Sequence, residues 1–157
     1  MTARMLRTSV LVIALASVSL LGCSKKGGSD KPAGPTALPA LGLQIDVPGS
    51  VELSKAIGGE GHMLMGEGIG AMSVTIEKEA KTLEEAKSDA EMYSPKNLKE
   101  EKLADGWALT FENTGSMGKN YFVEVHREID GKQYDCSTTS PDDRAQKVLA
   151  ACKTLRK

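Results

Sequence analysis

Residues 105–138 read DGWALTFENTGSMGKNYFVEVHREIDGKQYDCST, and their alternation decides the fold. Strand side chains point to opposite faces in turn. Trp107, Leu109 and Phe111 therefore share one face, while Ala108, Thr110 and Glu112 share the other. Tyr121, Val123 and Val125 oppose Phe122, Glu124 and His126 in the same way. Asp105-Gly106 and Asp130-Gly131 punctuate these runs, and Asx-Gly pairs between alternating segments are strong hairpin signals. Residues 132–138 add another strand, with Tyr134 and Cys136 on one face. The stretch is predicted to be an antiparallel meander.

The same patterns continue on both sides. Residues 97–103 precede the first hairpin as a strand. Farther upstream, Leu43, Ile45 and Val47 alternate with Gln44 and Asp46 until Pro48-Gly49, and residues 51–57 follow as a second strand. Over residues 71–79, Met72, Val74 and Ile76 alternate with Ser73, Thr75 and Glu77. Then the period changes. Thr82 and Glu85 have capping-box spacing, and Leu83, Ala86, Ala90 and Tyr93 form a helical stripe ended by Ser94-Pro95. Downstream, Ser140-Pro141-Asp142-Asp143 reads as N-cap, proline at the first helical position and acids in the first turn. Ala145, Val148, Leu149, Cys152 and Leu155 make the apolar side of that helix, with Lys153, Arg156 and Lys157 near its negative end. The expected class is α+β: an antiparallel β-sheet meander packed by two helices, in one domain over residues 41–157.

The amino terminus carries a different signal. Arg4 and Arg7 precede an apolar run over residues 9–21, which stops at Leu20-Leu21-Gly22-Cys23. The run suits a signal-peptide core of roughly 7–15 residues rather than the ~20 residues of a spanning helix. Its end resembles the lipobox of bacterial lipoprotein signal peptides. That resemblance implies cleavage after residue 22, diacylglycerol on the Cys23 sulfur, and a further acyl chain such as palmitate on the new amino terminus. Each buried CH₂ contributes about 0.8 kcal/mol, so two or three chains anchor stably where one does not. An ordinary secretory signal with a chance cysteine is the rival reading. Ser24 in place of Asp implies an outer-membrane address facing the periplasm. Residues 23–40, rich in Gly, Pro, Lys and Ala, are expected to be the lipidated Cys and a flexible tether. Lys25, Lys26 and Lys31 lie where anionic headgroups would meet them.

The chain has 20 Lys+Arg against 21 Asp+Glu, a formal net charge of −1. Nothing in that balance would neutralise phosphates, which argues against nucleic acid as a partner. With Cys23 taken by lipid, Cys136 and Cys152 remain, in a compartment where disulfides persist. One sits on the strand face of Tyr134 and the other on the helix stripe, so both point into one helix–sheet layer. A disulfide is expected. A redox or metal pair would call for C-x-x-C spacing, which is absent from the sequence.

Taken in order, "LGLQIDVP", "SVTIEKEAKTLEEAKSDA", "GWALTFEN" and "YFVEVHREIDGKQYDCSTTSPDDRAQKVLAACKTLRK" resemble the PsbP-like α/β/α sandwich of small secreted bacterial proteins. The likeness extends from about Leu41 to Lys157. The last stretch resembles uncharacterised lipoproteins that also pair a strand Cys with a helix Cys. Many relatives place a Trp soon after the first Pro-Gly, and "VPGSVELS" has none. The resemblance implies a binding or assembly-supporting module rather than an enzyme.

Several stretches invite chemistry. In "GGEGHMLMGEGIGAM", His62, Met63, Met65 and Met72 are ligand types suited to Cu(I). Strand alternation sets His62 against Met63 and Met65, and methionines also fill cores. The glycines of residues 66–70 are not followed by a helix N-terminus, and Glu60 and Glu67 would repel phosphate. A mobile hairpin rim is expected there instead. His126 falls between Glu124 and Glu128 on an outward strand face, with no nucleophile at a matched position. Gly115-Ser116-Met117-Gly118 lacks the spacing of a nucleophile elbow. The leading expectation is a lipid-anchored, non-enzymatic binding or scaffold module without cofactor, docking an envelope protein. The alternative is a copper-handling lipoprotein using Met63, Met65 and His62.

Overall fold

The structure, a computed structural model, describes residues 32–157 apart from Met117. The expected signal segment, Cys23 and the tether up to Lys31 lie outside the described residues. In chain order the elements are β1 (Ala33–Leu38), β2 (Leu43–Pro48), β3 (Glu52–Lys55), β4 (Gly61–Gly66) and β5 (Gly70–Glu77), then α1 (Leu83–Glu91). They continue with β6 (Lys96–Leu103), β7 (Gly106–Gly115), β8 (Gly118–Ile129), β9 (Lys132–Ser140) and α2 (Arg144–Cys152).

Seven strands form one sheet in the order β3-β4-β5-β9-β8-β7-β6, with every neighbouring pair antiparallel. Two meanders, β3–β5 and β6–β9, join where β5 pairs with β9. α1 connects β5, inside the sheet, to β6 at its far edge. β1 and β2 form a separate hairpin. The expected α+β class, with an antiparallel sheet and two helices among the described residues, is what the chain adopts.

The two faces of the sheet are covered unequally. On one, α2 and the β1–β2 hairpin close a large core that includes Leu38, Ile45, Val74, Val125, Val148 and Leu155. Cys136 and Cys152 are bridged inside it, as expected. A bridge closing a loop of this length stabilises by about 3 kcal/mol. On the other face, α1 packs through the small side chains Ala86 and Ala90 over Trp107, Leu109 and Phe111. The Thr82–Glu85 capping box that starts α1 is formed in both directions. Met72, weighed as a copper ligand, is 2 % exposed in the large core.

Four expectations are corrected. The tether does not run to residue 40, because Ala33–Leu38 is a strand paired with β2. Leu38 is fully buried, and burying such a side chain contributes roughly 1.5–3 kcal/mol, enough to order a short paired segment. The first hairpin turns on Ala104-Asp105, since Leu103 pairs with Gly106; Asp130-Gly131 does turn as expected, with φ of 52° and 72°. Ser140 belongs to β9, and α2 begins only at Arg144. There Asp142 accepts hydrogen bonds from the Arg144 amide and guanidinium, so the local ion pair replaces a serine cap. Finally, the Gly-rich rim is packed rather than loose. Ile69 is fully buried, and Cβ atoms on Gly66 or Gly68 would fall 2.5 Å from the carbonyl oxygens of Ser50 and Pro48.

The carboxyl terminus is zipped onto β2. Gln44 and Arg156 exchange backbone hydrogen bonds of 2.7 and 3.0 Å, and the Arg156 guanidinium grips the Asp46 carboxylate. Arg127 closes the α2 end. It donates to both oxygens of Asp105 and to the carbonyl of Lys153, satisfying one of the carbonyls that a helix terminus leaves free.

Candidate functional site

Because α1 covers the β7 side of its face, the β5–β9–β8 part lies open beside it. The result is a cleft of about 620 Å³ between the helix and the sheet. Strand alternation dictates its floor: the residues that oppose Met72, Val74, Tyr134 and Cys136 on their strands are Ser73, Asp135 and Ser137. Met63 of β4, Met92 and Tyr93 after α1, and Phe122 of β8 supply the apolar part of its wall. The Tyr93 ring leans on Phe122 at 5.3 Å, and Phe122 stacks on Phe111 at 4.4 Å.

The polar floor is connected. Ser137 Oγ donates to Asp135 Oδ2 at 2.7 Å, and the Ser73 and Ser137 hydroxyls are 3.3 Å apart. At the rim, the Lys81 ammonium lies 2.8 Å from Glu124 Oε1 and 2.9 Å from Asp89 Oδ2. Burial pulls the Lys81 pKa down, but the hydrogen bonds to Glu124 and Asp89 outweigh it and hold the group above its ordinary value. Asp135 behaves oppositely. Burial raises its pKa to about 6, against the Ser137 hydrogen bond, and the neighbouring Glu124 and Glu77 charges add to the rise. Among the described residues, no Lys or Arg lies within ion-pair distance of Asp135. Two acids share Lys81, and the third is left with hydroxyl groups.

Of the residues expected to carry chemistry, Met63 reaches the cleft and the two histidines do not. His126 is not outward in solvent: it is 5 % exposed, stacked on Trp107 at 5.5 Å, and its Nε2–H donates to Gln133 Oε1 at 3.0 Å. Trp107 in turn donates Nε1–H to the carbonyl of Lys81. This is a satisfied buried histidine beneath the strand-to-helix connection. His62 accepts the Ala40 amide proton at Nε2, 3.0 Å away, so the lone pair a metal would need is engaged. Met63 lines the cleft and Met65 lies 44 % exposed farther along β4. His62, Met63 and Met65 are not brought together on one face, as alternation implies. Among the described residues no group of three His, Cys, Asp or Glu side chains could hold a metal ion.

Asp135, Ser137, Ser73 and Lys81 are the residues that sequence reasoning missed. The signal was present as an aspartate in mid-strand between Tyr134 and Cys136. It reads as an ordinary solvent-facing position unless the sheet order, which sets β5 beside β9, is known. The chain matches no protein-family model, and no curated protein matches it significantly.

Proposed function

We propose that this protein is a lipid-anchored cell-envelope lipoprotein that acts as a non-enzymatic binding module, facing the periplasm from the outer membrane. Cys23 carries the anchor, and the cleft beside α1 is where a protein partner docks. The observation that carries this reading is the unequal coverage of the sheet: one face is closed by α2 and a hairpin, while the other leaves an amphipathic cleft open. The layer order, helix on one side and helix with hairpin on the other, supports a PsbP-like sandwich. The Cys136–Cys152 bridge supports an oxidising compartment. A His–carboxylate catalytic reading is disfavoured by the engagement of His126 with Trp107 and Gln133.

Two experiments test the two halves. Intact-mass analysis of protein from its native membranes should show a chain beginning at Cys23 and carrying diglyceride; an unmodified precursor would refute the anchor. A photo-crosslinking side chain at Met63 or Met92 should trap a partner in intact cells, whereas one at Lys147, on α2, should not. Crosslinks from Lys147 alone would refute the cleft.

A further inference from the structure

We propose that the cleft beside α1 recognises a lysine side chain presented by the partner protein, with Asp135 and Glu124 as its acidic receptors. This rests on the reading of the cleft as the docking site and names the chemistry that fits it. Charge complementarity carries it. Among the described lining residues, Asp89, Glu124 and Asp135 face the cleft against one cation, Lys81, so that lining holds more negative than positive charge. Glu77, on the same face of β5, adds a further negative charge near Asp135. His126, the register partner of Asp135, is stacked on Trp107 and hydrogen-bonded to Gln133 rather than to Asp135.

The geometry matches the amphipathic form of lysine. Long cationic side chains lay their methylene stems on apolar surface and send the ammonium to polar ground. Met63, Met92, Tyr93 and Phe122 offer the apolar wall, and Asp135 with the Ser73 and Ser137 hydroxyls offers the polar floor. Lys81 shows how an ammonium is held here, between two carboxylates at 2.8 and 2.9 Å. A second ammonium between Glu124 and Asp135 would extend that alternation of charges. It would also supply Asp135 with the cation it lacks.

The test is calorimetric titration of the full-length protein with two blocked tripeptides, acetyl-Leu-Lys-Leu-amide and its norleucine homologue. The lysine peptide is expected to bind at least tenfold more tightly. Asp135→Asn should remove most of that preference without lowering the melting temperature. Ser73→Lys, which supplies an ammonium from within, should compete with the peptide and weaken it as well. The preference should also fall by up to tenfold between pH 7.5 and pH 5, where about a tenth of Asp135 stays ionised, and should be flat with pH in Asp135→Asn. Equal binding of both peptides, or binding of neither, overturns the lysine assignment, while the crosslinking decides the cleft independently. Hexane-1,6-diamine binding as tightly as the lysine peptide would replace the protein partner by a small amine and likewise overturn it.

Discussion

Arg127 holds Asp105 through two parallel hydrogen bonds of 2.7 Å, and its remaining nitrogen reaches the Lys153 carbonyl at 2.7 Å. One side chain thus ties the β6–β7 turn to the end of α2, and it is only 12 % exposed. Arg127→Ala would leave Asp105 and the helix carbonyls without their partner, at a cost of about 2–4 kcal/mol. Arg127→Lys should recover little, because an ammonium cannot span a carboxylate and a carbonyl in the fixed fork of a guanidinium. Urea denaturation of the three proteins measures both statements.

Asp135 makes stability depend on pH in an unusual sense. Its folded pKa is raised, so the folded chain binds a proton that the unfolded chain has lost between about pH 3.8 and 6. Stability from this group is therefore full below the lower value and declines as pH rises through the upper one. Asp135→Asn removes the buried charge while keeping an acceptor for the Ser137 hydroxyl. The variant should be more stable than the parent at pH 8, by on the order of 1–3 kcal/mol, with the difference vanishing near pH 4. Thermal melts across that range check it.

Cys136 and Cys152 fasten β9 to α2 inside the larger core. Reduction, or Cys152→Ser, should lower stability by about 3 kcal/mol, a shift of several degrees in melting temperature. Equal melting with and without reductant would show that the bridge does not form in solution.

Gly106 is held by close approach rather than by turn chemistry. A Cβ there would lie 1.9 Å from the His126 carbonyl oxygen, inside the β7–β8 ladder. Gly106→Ala should cost more than about 2 kcal/mol, since the backbone must shift. It should also disturb the Trp107–His126 stack, visible in near-ultraviolet circular dichroism because Trp107 is the only tryptophan.

Periodicity made most of the strands and both helices legible, because each buried face is written as a repeat of two or of three to four. Leu43, Ile45 and Val47, or Ala145, Val148 and Cys152, fall on the faces their spacing implies. What escaped was set by tertiary partners. Ala33–Leu38 has the composition of a linker and becomes a strand only because β2 and α2 lie ready to bury Leu38. His126 looked exposed because its neighbours are glutamates, yet the Lys81–Thr82 connection and Trp107 cover it. The cleft was invisible for the same reason. Ser73 and Asp135 are 62 positions apart in sequence, and only the β5–β9 pairing brings them to one floor.

Hydroxyl-radical footprinting puts the proposed docking face to the test with the native side chains. Oxidation of Met63, Met92 and Tyr93 would be compared between intact envelopes and purified full-length protein, with Met65 as an internal reference outside the cleft. If a partner sits in the cleft, the three cleft residues are protected in the envelope while Met65 reacts equally in both. Equal oxidation of Met92 and Tyr93 in both settings, although they are 77 % and 49 % exposed in the free chain, would contradict it.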